Sequence, residues 1–258
     1  MHYKTIVISD VHLGTKDSKT KELAQFLKNN SCDRLIINGD FIDAWHLMRK
    51  GKWGKKDTRV IRRILKMTEE HKTEVFYIRG NHDDFLDRLI PVNFGNIRIV
   101  NDMTIRSGGK KFFITHGDIF DIISYRFKWI ANIGDIGYKF LLWMNRRHNK
   151  IRRLKGLPYH SLSQRIKHKV KMAVNFIADF ETTMVDFARA HNYDGIICGH
   201  IHQPALKEIG NITYMNSGDW VETMSALVEK ETGEWIIVFY ETILEKQHQD
   251  KEENLANL

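Results

Sequence analysis

Residues 194–202, "DGIICGHIH", place two histidines one residue apart directly after a short apolar run. A run such as Ile196–Ile197, bounded by polar and glycine residues, is typical of a strand that is covered on both faces. Because an extended segment repeats every two residues, His200 and His202 lie on the same side of the chain. This stretch therefore predicts a buried strand whose carboxyl end presents paired imidazoles.

The same arrangement, an apolar run followed at once by a polar cluster, occurs four more times. The segments are "YKTIVIS" before "DVHLG", "RLIIN" before "GDFIDAW", "EVFYIR" before "GNHDD", and "KFFIT" before "HGD". Helical stretches near Lys21–Lys28 and Arg59–Glu70 separate the first three strands, which is the spacing of βα units. Since ligand sites of α/β sheets lie beyond the carboxyl ends of the strands, all five clusters are expected at one edge.

The C-terminal part reads as antiparallel strands joined by glycine-bearing turns, in "NITYMNSGDW", "MSALVEK" and "GEWIIVFYET". A two-layer β-sandwich flanked by helices accommodates both halves, so we predict an α/β protein of αββα architecture. Its core consists of residues 1–119 and 193–245. Residues 120–192 are aromatic, apolar and helical in pattern, and predict a helical insertion that acts as a lid. Residues 246–258 form a polar tail.

Composition limits the compartment and the fold. The 258 residues are 42% hydrophobic, enough for one large domain or one domain with an insertion. Cys32 and Cys198 lie far apart, and we expect two buried thiols in a reducing compartment rather than a disulfide. The first ten residues enter a strand without a signal-peptide core, and no run of 18 apolar residues occurs. The prediction is a cytoplasmic protein that can still contact a membrane surface.

The positive charge is concentrated in one segment. Residues 146–172 contain ten Lys and Arg and no Asp or Glu, whereas the whole chain carries +8, so the remainder is slightly acidic. Such a segment suits a solvated face, a phosphate-bearing ligand, an anionic lipid surface or nucleic acid. The candidate phosphate contacts within it are Arg152, Arg153, Lys167 and Lys171, with simple solubility as the alternative for each.

Acidic, imidazole and amide side chains that meet at one edge would repel or desolvate one another unless cations lay between them. The predicted metal ligands are Asp10, His12, Asp40, Asn81, His116, His200 and His202. These donors suit Mn, Fe or Zn rather than Ca, and the lack of cysteine among them argues against a structural zinc site. Seven ligands exceed the needs of one ion and suit two that share a carboxylate, an arrangement that activates water for attack on phosphorus.

The motifs D-x-H (Asp10, His12), G-D-x-x-D (39–43), G-N-H-D (80–83), a later His116 and G-H-x-H (199–202) resemble the signature of the calcineurin-like metallophosphoesterases. The resemblance implies Asp10, His12, Asp40 and His202 at one metal, and Asp40, Asn81, His116 and His200 at the other. It implies that His82 faces the phosphate as general acid or charge stabiliser, and that Asp43 orients His82. For Asp43 and Asp83, loop capping is the alternative. Gly39, Gly80 and Gly199 are expected to allow sharp turns.

Within that family, "NGDFIDAW", "YIRGNHDDFL", "THGD" and "MNSGDWVE" look like the UDP-2,3-diacylglucosamine hydrolase branch. The resemblance implies hydrolysis of the pyrophosphate of UDP-2,3-diacylglucosamine to UMP and 2,3-diacylglucosamine 1-phosphate, in lipid A biosynthesis. It also implies two divalent ions, Mn²⁺ foremost, and a phosphorylated amphiphile as substrate. The aromatic insertion suits acyl chains, and the basic segment suits a diphosphate or the cytoplasmic face of the inner membrane.

Other functions stay open at this stage. The best-known members of that branch carry Arg after the Asn, whereas this chain has His82, as general phosphoesterases do. A phosphodiesterase or phosphatase acting on a nucleotide, a nucleic acid or a phosphoprotein is one alternative. A non-catalytic binding module on the same scaffold is another. Because the basic residues flank a strongly apolar segment, an amphiphile is favoured over nucleic acid, and the sequence does not determine the oligomeric state.

Overall fold

The structure is a computed structural model that describes residues 1–49, 51–120 and 163–242, with side chains described from residue 174 in the last range. The chain divides into two compact units, one of Met1–Asp118 with Met184–Leu258 and one of Ile119–Thr183. Most of the predicted insertion, residues 120–192, and all of the predicted tail, residues 246–258, lie outside the described residues. Both boundaries therefore stay predictions.

Twelve strands of the described chain form two sheets. The strands are β1 His2–Ile8, β2 Ser31–Asn38, β3 Glu74–Ile78, β4 Val92–Phe94, β5 Ile97–Val100, β6 Asp102–Ser107, β7 Lys110–Thr115, β8 Gly195–Cys198, β9 Ala205–Ile209, β10 Ile212–Asn216, β11 Ser225–Glu229 and β12 Trp235–Phe239. The first sheet has the order β12-β11-β1-β2-β3-β5-β4, and the second has the order β6-β7-β8-β10-β9. The five strands that precede the polar clusters thus occupy the middle of the two sheets.

The middle strands run parallel, and the edges are antiparallel. In the first sheet β1, β2, β3 and β5 are parallel to one another. In the second sheet β7, β8 and β10 are parallel, while β9 pairs antiparallel with β10 across a turn at Gly210. The antiparallel pairing predicted for the C-terminal part is observed for β9 with β10 and for β11 with β12, but β10 also pairs parallel with β8, which the sequence did not predict. The chain returns through β9 before it enters β10, so β10 has the same direction as β8.

Helices follow the strands as expected for βα units. The helices are α1 Thr20–Asn29, α2 Ala44–Arg49, α3 Lys55–Glu70 and α4 Ser163–Ala190, with 3-10 turns at Asn81–Arg88 and Asp118–Phe120. The third helix begins four residues before the predicted stretch that starts at Arg59. Its start is set by Asp57, whose Oδ2 accepts a hydrogen bond from the Gly54 backbone N–H at 2.8 Å.

Alternate residues of the central strands enter two different hydrophobic cores. On β1, Ile6 and Ile8 pack with residues of α1 and α3, whereas Val7 joins Phe112 of the second sheet in the cluster between the sheets. This is the consequence of the period of two in a strand that is buried on both faces. The predicted two-layer β-sandwich flanked by helices is thereby confirmed.

Neither cysteine is paired: Cys32 and Cys198 are buried free thiols, in agreement with the sequence prediction. Burial raises the pKa of the Cys32 thiol to about 12, and this favours its unreactive protonated form. Among the described residues, no helix has both the length and the apolar character that crossing a membrane requires.

Candidate metal centre

The predicted ligands follow the carboxyl ends of five strands that belong to both sheets. Backbone hydrogen bonds join these loops to one another. His12 N–H donates to Asp40 O at 2.9 Å, which links the loops after β1 and β2, and Gly199 N–H donates to His116 O at 3.0 Å, which links those after β7 and β8. These bonds tie the loops within each sheet, and the two sheets are joined at this edge by the His200 N–H, which donates to Asp10 Oδ2 at 3.0 Å.

One group of side chains forms around Asp10. The Nε2 of His202 lies 3.2 Å from Asp10 Oδ1, and ligand atoms of Asp10, His12 and His202 all lie within 4.8 Å of one another. The rings of His12 and His202 are stacked with their centroids 5.6 Å apart. These three residues are separated by up to 192 positions in the sequence, so only the fold brings them together.

A second group forms around Asp40. The Nε2 of His116 lies 3.4 Å from Asp40 Oδ1, and ligand atoms of Asp40, His116 and His200 lie within 4.8 Å of one another. The other carboxylate oxygen, Oδ2, lies 3.9 Å from His12 Nε2, a member of the first group. The two oxygens of Asp40 therefore face different groups, which is the geometry of a bridging ligand.

Several buried polar atoms at this edge have no hydrogen bond within the described chain, among them Asp10 Oδ1, Asn81 Oδ1 and His116 Nε2. Buried polar atoms are seldom left without a partner, so each is expected to face a ligand. The Nδ1 of His116 lies 2.9 Å from the carbonyl oxygen of Asn38, and an N–H at this position donates to it. That bond leaves the Nε2 lone pair free for a cation. The residues present therefore fit divalent cations.

Five of the predicted ligands have a left-handed backbone, namely Asp10, His12, Asp40, His200 and His202, with φ between 50° and 68°. They account for five of the eight non-glycine residues with positive φ in the described part of the chain. Such conformations are unfavourable for residues with a Cβ and persist where the surrounding structure enforces them. The sequence analysis did not anticipate this concentration of strain, which coincides with the candidate site.

The three glycines of the motifs act mainly by leaving room for ligands. A Cβ at Gly39 would lie 2.3 Å from the ring of His116, and one at Gly80 would lie 2.3 Å from Asp40 Oδ1. A Cβ at Gly199 would lie 2.7 Å from Asp10 Oδ2. Only Gly39 also has positive φ, at 81°, so the predicted sharp turn is observed there and not at Gly80 or Gly199.

His82 lies next to the centre and is held by two carboxylates. Its Nδ1 lies 3.2 Å from Asp43 Oδ1, and its Nε2 lies 3.9 Å from Asp40 Oδ2. Burial opposes protonation of His82, but the contact with Asp43 and the charges of both carboxylates raise its pKa. Asp43 also accepts a hydrogen bond from the His46 N–H at 2.8 Å, so it caps α2 as well as facing His82.

Asp83 joins the loops that follow β2 and β3. It is buried, and its carboxylate accepts hydrogen bonds from the backbone N–H groups of Phe41 and Ile42 at 3.1 and 2.9 Å and from the Tyr77 hydroxyl at 2.8 Å. Burial, together with the charge of Asp40, raises the pKa of Asp83 to about 6. The structure thus places Asp83 in the loop-capping role that the sequence left open.

A sequence model of the calcineurin-like phosphoesterase family matches residues 3–204, a range that contains all of the groups described above. The chain belongs to the calcineurin-like phosphoesterase family. It is a metal-dependent hydrolase, and the family implies divalent cations at the cluster of Asp and His side chains. When bound there, such cations activate water and stabilise negative charge on a phosphoryl group.

The chain is also similar to individual proteins over most of its length. The chain is 28% identical to the UDP-2,3-diacylglucosamine hydrolase of Neisseria gonorrhoeae, over 83% of this chain and 88% of the relative. It is 29% identical to the enzyme of that name from Blochmanniella pennsylvanica, over 79% and 81%. An archaeal phosphodiesterase of known structure aligns with a TM-score of 0.43 and 14% identity, over 91% of this chain and 98% of that one.

The four candidate phosphate-binding residues lie beyond what the structure describes. Arg152 and Arg153 are outside the described residues, and Lys167 and Lys171 belong to α4 at positions whose side chains are not described. Their proposed role therefore stays a prediction.

The sequence analysis missed one carboxylate of this phosphoesterase site. Asp219, in the loop after β10, is buried, and its Oδ2 lies 3.9 Å from His202 Nδ1. Its Oδ1 accepts hydrogen bonds from backbone N–H groups of the same loop, including that of Val221 at 2.7 Å. Asp219 thus anchors its own loop with one oxygen and faces His202 with the other. The motif "SGDW" is visible in the sequence, but β10 was predicted only as an antiparallel strand and Asp219 was given no role.

We expect Asp219→Asn to weaken metal binding without unfolding the protein. The amide oxygen still caps the loop, but the neutral amide removes the negative charge that faces the His202 imidazole, so the imidazole is held less firmly. Loss of such a supporting carboxylate costs about 10–100-fold in metal affinity. Isothermal titration with Mn²⁺, alongside the thermal melting temperature, measures both quantities.

Thr223→Val is the matched control for this prediction. The Thr223 hydroxyl donates to Asp219 Oδ2 at 3.0 Å, so its removal disturbs the same carboxylate without touching the imidazole. Metal affinity should be unchanged in this variant. Equal weakening in both variants would show that Asp219 acts only on the loop.

Metal uptake by this phosphoesterase should release protons. Burial opposes protonation of His116 and His202, but the carboxylates of Asp40 and Asp10 outweigh it and raise the pKa values to about 10 and about 9. Both imidazoles hold protons below those values in the metal-free protein, and binding must displace them. Affinity should therefore fall as the pH is lowered. Titration of Mn²⁺ in buffers of different ionisation enthalpy measures the released protons, and a buffer-independent enthalpy would contradict the prediction.

Proposed function

We propose that the chain hydrolyses the pyrophosphate bond of UDP-2,3-diacylglucosamine, yielding UMP and 2,3-diacylglucosamine 1-phosphate, with two Mn²⁺ ions at the edge described above. The observation that carries this proposal is the carboxylate of Asp40, whose oxygens face two separate groups of imidazoles. A shared carboxylate between two sites is the arrangement that supports in-line displacement at phosphorus. The substrate is suggested by the relatives, which carry this activity in their names and match most of the chain.

The seven ligands divide as the family motif implies. Asp10, His12, Asp40 and His202 hold one ion, and Asp40, Asn81, His116 and His200 hold the other. Support comes from the buried acceptors without hydrogen bonds and from the two clusters of ligand atoms. Mn²⁺ suits this mixture of carboxylate, imidazole and amide oxygen, and Fe or Zn are the alternatives.

His82 supplies the proton that the leaving oxygen needs when the phosphoanhydride breaks. Its Nε2 lies towards Asp40 and the centre, and its side chain keeps 27% of its surface exposed, which gives a substrate access to it. Asp43 holds the opposite nitrogen, so the ring keeps one orientation. The water oxygen forms a new bond to phosphorus, the bridging P–O bond breaks, and the proton of His82 passes to the leaving phosphate.

The place of action follows from the substrate. An acylated sugar nucleotide resides at a bilayer surface, so we propose a cytoplasmic protein that works at the cytoplasmic face of the inner membrane. Residues 120–192 would cover the acyl chains as a lid, and Arg152, Arg153, Lys167 and Lys171 would contact the diphosphate. Nucleic acid is the less favoured partner.

A substrate panel tests the proposal directly. With Mn²⁺ present, we expect kcat/KM for UDP-2,3-diacylglucosamine to exceed that for bis-p-nitrophenyl phosphate, cyclic nucleotides and single-stranded DNA by about 100-fold or more, because the remote groups of the substrate contribute binding energy. Asp40→Ala should abolish every activity, and Asp33→Ala, which removes an exposed carboxylate outside the centre, should abolish none. Preference for DNA would identify a nuclease, and inactivity on all substrates would favour a binding module.

The role of His82 predicts a dependence on the leaving group. His82→Gln should slow hydrolysis of the lipid pyrophosphate by about 100-fold or more, the usual worth of a general acid. It should slow bis-p-nitrophenyl phosphate much less, because nitrophenolate departs without a proton. His46→Gln, on the adjacent helix but outside the clusters, is the matched control. Equal losses on both substrates would assign His82 to charge stabilisation instead of proton donation.

A further inference from the structure

A second basic segment lies in the described part of the chain, away from the predicted insertion. Residues 44–56, "AWHLMRKGKWGKK", contain five Lys and Arg, two Trp and no Asp or Glu. We call residues 44–56 the basic-aromatic segment. It comprises α2 and the loop that leads into α3, and Lys50 within it lies outside the described residues. Metal binding and hydrolysis do not account for this composition.

Large apolar side chains of this segment are exposed. Trp45, Met48 and Trp53 leave 40%, 76% and 42% of their surface uncovered. On α2, Trp45, Met48 and Arg49 are related by three and four residues, so they share one face of the helix. The exposed face of α2 is thus apolar and cationic at the same time.

The described cations of the segment form no ion pair with a described carboxylate. Arg49, Lys52 and Lys55 are exposed, and within the described residues none of them has a carboxylate at ion-pair distance. The flanking acids are turned inward. Asp43 is buried and bonded to the His46 N–H, and Asp57 is buried and bonded to the N–H groups of Gly14 and Gly54 at 3.2 and 2.8 Å. The surface therefore presents uncompensated positive charge.

We propose that the basic-aromatic segment docks this protein on an anionic lipid bilayer. Exposed tryptophans beside lysine and arginine are the combination that binds at the headgroup level, where the indole rings lie in the interface and the cations meet lipid phosphates. Each cation near such a surface strengthens binding about fivefold. Residues 44–56 contain no acidic residue, and their exposed cations are complementary to anionic headgroups.

Nucleic acid fits the segment less well. One face of Trp45 packs on His82, with ring centroids 4.6 Å apart, and its indole N–H donates to Asp84 Oδ2 at 3.1 Å. A ring held in this way offers one face at most to a base, and an acidic group lies beside it. Met48 is the most exposed apolar residue of the segment and has no aromatic ring for stacking. A bilayer accepts both side chains.

Docking through this segment has a consequence for the metal centre. Because α2 begins directly after Asp43, and Trp45 contacts His82, the docked surface adjoins the site of hydrolysis. The metal centre would then lie at the level of the lipid headgroups, where an acylated substrate has its phosphates. The inference rests on the membrane location proposed above and names the surface for it, whereas the binding of vesicles itself requires no hydrolysis.

Vesicle co-sedimentation of the full-length, Mn²⁺-loaded protein tests the proposal without any substrate. Vesicles of phosphatidylethanolamine with phosphatidylglycerol serve as the anionic probe, and phosphatidylcholine vesicles serve as the neutral one. The unmodified chain should bind the anionic vesicles, and added salt should weaken the binding. The double variant Arg49→Glu/Lys52→Glu should lower the partition coefficient by about 25-fold or more, from two cations at about fivefold each.

The matched control is Lys28→Glu/Lys72→Glu, which changes net charge equally at two exposed residues before β2 and β3, at the opposite end of the sheet. This variant should bind vesicles within about twofold of the unmodified chain. Both double variants should hydrolyse bis-p-nitrophenyl phosphate as the unmodified chain does, so a failure of docking is distinguished from a failure of catalysis. Met48→Gln should also weaken vesicle binding, since it removes apolar contact at unchanged charge.

Four outcomes would overturn the proposal. The unmodified chain would fail to bind anionic vesicles, or both double variants would lose binding equally, which would indicate non-specific attraction. In the third, Arg49→Glu/Lys52→Glu would bind like the unmodified chain, which would assign the contact to another segment. Competition by a single-stranded oligonucleotide, combined with weak vesicle binding, would identify the segment as a nucleic-acid contact instead.

Discussion

The carboxylate of Asp40 is buried between two groups of imidazoles, and each of its oxygens faces a different group. Burial opposes its ionisation, but the neighbouring histidines, His116 foremost, hold its pKa well below the ordinary value. The negative charge of Asp40 attracts cations to this position. Its Oδ1 also accepts a hydrogen bond from the His82 backbone N–H at 2.8 Å. Both groups of imidazoles and the placement of His82 therefore depend on this one side chain.

The backbone is shaped to admit that carboxylate and its neighbours. Gly80 lies so close to Asp40 that a Cβ would overlap Oδ1, and five ligands adopt left-handed conformations that ordinary residues avoid. Hydrogen bonds to buried carboxylates resist relaxation: Asp83 holds the neighbouring loop after β2, and Asp219 holds its own loop after β10. Strain at the ligands is thus balanced by buried carboxylates that bind no cation in our proposal.

The supporting carboxylates were harder to predict than the ligands. The ligands stand directly after apolar runs, so a local pattern marks them, and the architecture follows from the same pattern. Asp219 also follows a strand, but its relevance depends on the direction of β10, which runs parallel to β8 because β9 intervenes. Asp83 and Asp43 resemble loop caps in sequence, and the structure shows that Asp43 both caps α2 and faces His82.

The sequence by itself determined the strand class, the αββα layering and the identity of the polar cluster, because residues buried on both faces and residues at strand ends leave local signatures. Only the tertiary structure decided which oxygen of Asp40 faces which histidines. It shows that a Cβ at Gly80 or Gly199 would overlap Asp40 or Asp10. It also decided that Asp219 stands behind His202. These features depend on distances between loops that are remote in the chain, and such distances are set by sheet register and packing, which no local pattern encodes.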